Sequence, residues 1–139
     1  YFMNHAGWLA LGTMVCSSVF VTLQAETPKE FQEQEKLIVK LFKAYNSDDV
    51  KAVFEDYIEG FKAAGAQTLW DALYKANKEK YGKYKSHKFV NSGSVASDGL
   101  TIFRMDVEFE KEKNVYVVVN FSQEGKSWKI QQLTFAAPR

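Results

Sequence analysis

A chain of 139 residues, 46% apolar and 25% charged, has the length of one domain and the composition of a folded one, which argues against disorder. Eighteen basic against seventeen acidic side chains leave a formal charge of +1, so no bulk field exists to hold nucleic acid or an anionic membrane. The one cysteine, Cys16, falls in the first segment of the chain; without that segment no thiol remains for a disulfide, a Cys-ligated zinc or cysteine catalysis.

That segment, 1–25, carries no Lys, Arg, Asp or Glu. Its apolar run from Trp8 to Val21 is broken by Gly12, Thr13, Ser17 and Ser18. A bilayer span needs about 20 apolar residues, so the run is too short and too polar for one. It fits the apolar region of a signal peptide with cleavage after Leu23-Gln24-Ala25, although no basic residue precedes it. An uncleaved anchor and lipoprotein attachment at Cys16 are the rival readings; Thr13-Met14-Val15 lacks the Leu and small residue that lipoprotein attachment favours. Residues 26–139 are then expected to be a secreted or periplasmic domain, off the membrane.

Thr27-Pro28-Lys29-Glu30 reads as a helix start, with Thr27 and Glu30 as a capping box and Pro28 in the first turn. Phe31, Leu37, Ile38, Leu41, Phe42 and Tyr45 then make one apolar face as far as Asn46. Asn46-Ser47-Asp48-Asp49 ends this helix and opens the next, with Ser47 or Asp48 as cap. Val50, Val53, Phe54, Tyr57, Ile58 and Phe61 keep helical spacing, but Gly60 and Gly65 each cost about 1 kcal/mol against Ala in a helix and predict a break near Ile58. A third helix opens at Thr68-Leu69-Trp70-Asp71, carries Leu73, Tyr74 and Tyr81, and ends at Gly82. The Lys-rich stretch from Lys75 to Lys85 reads as its solvated side rather than a polyanion site, because Glu79 interrupts the charge.

The rest alternates. Tyr84 to Val90 predicts a first strand, and Asn91 to Gly99 a turn. Phe103, Met105, Val107 and Phe109 share one face of the next strand, while Arg104, Asp106, Glu108 and Glu110 share the other. Lys111-Glu112-Lys113-Asn114 predicts a hairpin loop. In the third strand Val115, Val117, Val119 and Phe121 point one way, and the apolar Tyr116 and Val118 point the other, so this strand is expected to be covered on both faces. After the turn at Gln123-Glu124-Gly125-Lys126, the apolar positions run Trp128 and Ile130, then shift to Leu133 and Phe135. That change of parity across Gln131-Gln132 predicts a β-bulge that bends the sheet.

Helices followed by a bent antiparallel sheet resemble the nuclear transport factor 2-like cone fold. The stretch from Leu41 to Val50 looks like that family's junction between first and second helices, and Tyr81-Gly82-Lys83-Tyr84-Lys85-Ser86 resembles the run of its third helix into the sheet. Gly125 through Ile130, with Leu133, Phe135 and Pro138, resembles the closing strand of the family's small uncharacterised branch, whose members are often exported or sit beside serine hydrolase domains. The resemblance spans about Glu30 to Pro138 and implies an α+β architecture: three N-terminal helices packed on a bent four-stranded antiparallel sheet, forming a cone-shaped barrel. Many members carry a short strand between the second and third helices; Ile58 to Ala66 shows none.

Enzymes of that superfamily, such as ketosteroid isomerases and polyketide cyclases, place a carboxylate or His in the cone beside a Tyr or second acid. This is general acid–base chemistry next to a carbonyl. The strand expected to line the cone offers Phe103, Met105, Val107 and Phe109 instead. His87, the only His beyond the leader, shares parity with Phe89 and is the one candidate base; a lone strand His is more often a satisfied or surface residue. Asp56 and Asp71 read as solvated helix acids, and Asp106 falls on the charged face. Tyr45, Tyr57, Trp70 and Tyr74, with Phe103 and Met105, are the candidate wall for a flat or apolar ligand, weighed against plain core. No phosphate loop, metal-ligand pair or Ser/His/Asp set appears, so no cofactor or metal is expected. The leading expectation is an exported, non-enzymatic domain that binds a small apolar ligand or a protein partner. A small lyase or isomerase using His87 and a pure association module are the alternatives. A homodimer through the sheet is expected to bury Ile102, Tyr116 and Val118.

Overall fold

The computed structural model describes residues 27–95 and 99–138. The leader, its cleavage point and Cys16 lie outside the described residues. A 3₁₀ turn, Lys29–Phe31, leads into α1 (Gln32–Asn46), α2 (Val50–Val53), α3 (Glu59–Lys62), α4 (Ala66–Leu73) and α5 (Lys75–Tyr81). Four strands follow, β1 (Tyr84–Val95), β2 (Leu100–Phe109), β3 (Val115–Glu124) and β4 (Ser127–Pro138), in the spatial order β1-β2-β3-β4 with every neighbour antiparallel. The architecture is α+β, helices packed on one face of the sheet.

Among the described residues five α-helices stand where the periodicity predicts three. The second predicted helix stops at Val53, ahead of the break expected near Ile58, and Gly60 sits inside α3 rather than breaking it. Hydrogen bonds to the sheet explain the early stop. The Ile58 N–H donates to the Ile130 carbonyl at 3.0 Å, and the Ile130 N–H donates to the Asp56 carbonyl at 2.8 Å. These bonds hold Tyr57 beside Ile130 in a one-residue parallel bridge. Tertiary pairing here overrides helical spacing. The third predicted helix starts at Ala66, earlier than Thr68, and is divided at Tyr74, whose φ of −120° interrupts it. Backbone bonds nevertheless continue through the jog, from Tyr74 to Trp70 at 2.9 Å and from Lys78 to Tyr74 at 2.8 Å.

Local capping also differs. Pro28 opens the 3₁₀ turn without a side-chain cap, so the capping box does not form; the Thr27 hydroxyl donates to Glu35 Oε1 instead, at 2.8 Å. The cap of α2 is Asp49, whose Oδ1 accepts from the Ala52 N–H at 3.2 Å. Ser47 and Asp48 do not serve, because Asp48 takes the left-handed conformation (φ 56°) that turns the chain. Gly82 ends α5 as expected with φ 80°, and a Cβ there would lie 2.9 Å from the Glu110 Cβ.

β1 runs through the predicted turn as far as Val95, with Asn91 opposite Arg104 and Val95 opposite Leu100. Its polar residues read as a turn, but an edge strand tolerates them once a neighbour supplies the ladder. In β2, Thr101, Phe103, Met105, Val107 and Phe109 are buried, alternating with half-exposed Ile102, Arg104, Asp106 and Glu108. In β3, Val115, Val117, Val119 and Phe121 are fully buried, while Tyr116 and Val118 are half-exposed on the outer face. The bulge falls where parity predicts it. Asn120 pairs with Gln132 and Phe121 with Ile130, which leaves Gln131 as the extra residue and brings both Ile130 and Leu133 to the inner face. The core lies between this face and α1, α2, α4 and α5.

Candidate functional site

The six candidate ligand-wall residues do come together, but as solid core. Tyr45, Tyr57, Phe103 and Met105 are 0% exposed and Tyr74 is 1% exposed, so no water-sized space touches them. The Tyr57 and Tyr74 hydroxyls bond each other at 2.5 Å, and the Tyr45 O–H donates to the Gly82 carbonyl at 3.1 Å. Burial raises all three phenols well above their ordinary range, aided at Tyr45 by the Asp48 charge and at Tyr74 by Tyr57. They therefore stay protonated and act only as hydrogen-bonding groups. Trp70 stacks on Tyr74 at 5.7 Å and reaches a shallow surface cavity. Lys78 fills that approach: its Nζ lies 5.9 Å from the Trp70 ring and 5.4 Å from the Tyr45 ring, and pairs with Asp48 at 2.5 Å. These residues are closely packed, and of the six Trp70 reaches the surface cavity. Gln34, buried on α1, leaves its Oε1 without a hydrogen-bond partner among the described residues, and nothing in the structure explains it.

The polar site lies at the edge of the core, between α1 and β1. A cleft of about 490 Å³ is bounded there by Thr27, Gln32, Glu35, Val39, Tyr84 and His87, among others. His87 points inward, opposite Val107. Its side chain is only 6% exposed, and its Nε2 lies 2.9 Å from both oxygens of Glu35, whose side chain is 20% exposed. Nδ1 bonds the Tyr84 hydroxyl at 2.7 Å. An ionised carboxylate can only accept, so Nε2 carries a proton; in the neutral ring Nδ1 then accepts from Tyr84. Burial works against the charge on Glu35, but the hydrogen bond and charge of His87, with the Thr27 hydroxyl, outweigh it and hold the carboxyl below its ordinary range. Burial, with the nearby Glu35 charge, pushes the Tyr84 phenol up to about 12. Tyr84 keeps its proton, and both ring nitrogens of His87 are occupied within the protein.

Sequence reasoning singled out His87 and missed Glu35 and Tyr84. In a regular strand Tyr84 and His87 would face opposite ways, being three residues apart. Lys85 is an extra residue between the pairs Tyr84–Phe109 and Ser86–Glu108, and this bulge turns both side chains inward. The remaining candidates are peripheral. Asp56 pairs with Lys40 at 3.1 Å, and Asp71 accepts from Gln67 Nε2 at 3.0 Å on the surface. On the outer face Tyr116 stands opposite Asp106, Val118 opposite Arg104 and Ile102 opposite Asn120. Among the described residues no group of three or more His, Cys, Asp or Glu could hold a metal ion, and no helix is long and apolar enough to cross a membrane.

No family model matches the chain. No curated protein matches it either. A solved structure, that of Bdellovibrio bacteriovorus Bd1075, is similar at 19% identity with a TM-score of 0.49, over 78% of this chain and 40% of that one. The present chain therefore spans less than half the length of that neighbour.

Proposed function

We propose that this chain is a non-enzymatic domain of the nuclear transport factor 2-like cone fold, exported behind the leader 1–25, and that it works by association with protein, first with a second copy of itself. The observation that carries this reading is the sealed interior: Tyr45, Tyr57, Phe103 and Met105 have no accessible surface, so the hollow that would house a substrate or an apolar ligand is already filled by side chains. Register shifts put bulges at Lys85, Val90 and Gln131 in the two edge strands, and a bulge is the device by which a sheet bends around its helices, which supports the cone reading. With the inside full, recognition falls to the outside. The outer sheet face mixes half-exposed Ile102 and Val118 with Arg104 and Glu108, a surface of both apolar and oppositely charged parts that suits a two-fold interface. A stable pair buries about 800 Å² per partner.

Multi-angle light scattering at micromolar concentration tests the proposal. The expected result is a dimer that Val118→Asp converts to a monomer with unchanged circular dichroism. A monomeric wild type, or a dimer indifferent to Val118→Asp and Ile102→Asp, contradicts it.

A further inference from the structure

We propose that Glu35, His87 and Tyr84 form a pH-sensitive latch that fastens the N-terminal turn of the domain to its edge strand and tightens in mild acid. The turn Lys29–Phe31 is tied to this cluster by the Thr27 hydroxyl on Glu35 Oε1, at 2.8 Å, and the Gln32 Nε2 donates back to the Thr27 carbonyl at 3.0 Å. Beside these bonds Phe31 stacks on Phe89 of β1 at 5.8 Å and meets the edge of Phe103 at 5.9 Å. Glu35 is thus the shared acceptor between the start of this turn and the sheet.

The cluster keeps every bond when His87 gains a proton. Nε2 donates to Glu35 in either state, and the bond to Tyr84 reverses direction: the phenol donates to neutral Nδ1, and charged Nδ1–H donates to the phenol oxygen. Protonation turns a neutral N–H on a carboxylate into an ion pair, and hydrogen bonds assisted by charge on both partners are roughly twice as strong. Imidazole is the side chain that changes charge between about pH 5 and 8. The charged groups around His87 are Glu35 from α1, Lys85 and Lys88 from its own strand, Asp106 and Glu108 from β2, and Lys113 from the hairpin loop. Lys85 is itself paired with Glu108, 3.5 Å away, and Glu35 meets the ring Nε2 with both of its oxygens. The tightening persists on acidification until Glu35 takes up a proton, below its ordinary range.

Hydrogen exchange reads the latch at the amides of Phe31 and Gln32, which close the turn on the carbonyls of Pro28 and Lys29. After correction for intrinsic exchange, both are expected to be about fivefold better protected at about pH 5.5 than at about pH 8. His87→Gln and Glu35→Gln are expected to abolish that difference, and Tyr84→Phe to retain it. Equal protection at the two pH values, or an undiminished difference in His87→Gln, overturns the proposal. Should His87→Gln fail to fold, Thr27→Val serves: it leaves the ion pair and unfastens the turn, so the amides of Phe31 and Gln32 lose their pH response while the amides of α1 beyond Glu35 keep theirs. An unchanged response at Phe31 and Gln32 in that variant overturns the latch equally.

Discussion

Two groups of side chains occupy the space between helices and sheet, and they are built on opposite principles. Around Tyr45, Tyr57 and Tyr74 the buried hydroxyls are neutral and bonded to each other or to backbone and the rings pack closely, with the Lys78–Asp48 pair at the outer edge. Around His87 the groups are ionisable, the bonds are charge-bearing, and one wall is a cleft. The first region supplies stability because it excludes water from large apolar area. The second gives up some of that burial and gains sensitivity to protons.

The comparison is broken most severely in the core. Phe54, 2% exposed and in ring contact with Tyr57 and Tyr74, is expected to cost about 3–5 kcal/mol when replaced by Ala, measured by denaturant melt. A cost below about 1 kcal/mol would mean the aromatic region is loosely packed. Next in size is the phenol pair. Tyr57→Phe strands the Tyr74 hydroxyl without its partner and is expected to cost about 1–3 kcal/mol, whereas the double change to Phe is expected to recover part of that loss. Additive losses in the double-mutant cycle would show that the two hydroxyls do not depend on each other.

How much of this was legible follows from which forces are local. The inward sets of β2 and β3 and the bulge at Gln131 were readable because strand parity is written in neighbouring residues. The division of the helices was not, because the stop after Val53 comes from hydrogen bonds to Ile130, far along the chain. The strand from Asn91 to Val95 was hidden behind turn-forming residues that only pairing with β2 makes extended. At the polar site His87 was visible as a lone inward His. Its partners were not: Glu35 borders the apolar face of α1, and Tyr84 reaches His87 only through the bulge at Lys85.

The smallest expected effect belongs to the polar region and concerns slope more than size. The Glu35 carboxyl is held below its ordinary value of 4.5 by His87 and Thr27 against the opposing effect of burial. Its contribution to stability is therefore fully present above that value and is lost as pH falls through the lowered one. Glu35→Gln should be less stable than wild type near neutrality, and the gap should close in acid, as followed by melting temperature across pH. A gap that stays constant with pH would mean that Glu35 acts by packing alone.

The claim that everything else rests on is that the hollow under the sheet is full. Apolar cavities in protein interiors take up xenon when they exist. In crystals pressurised with xenon, no xenon atom is expected against Tyr45, Tyr57, Tyr74, Phe103 or Met105; a well-occupied xenon site among those side chains would contradict the account and restore an interior ligand pocket.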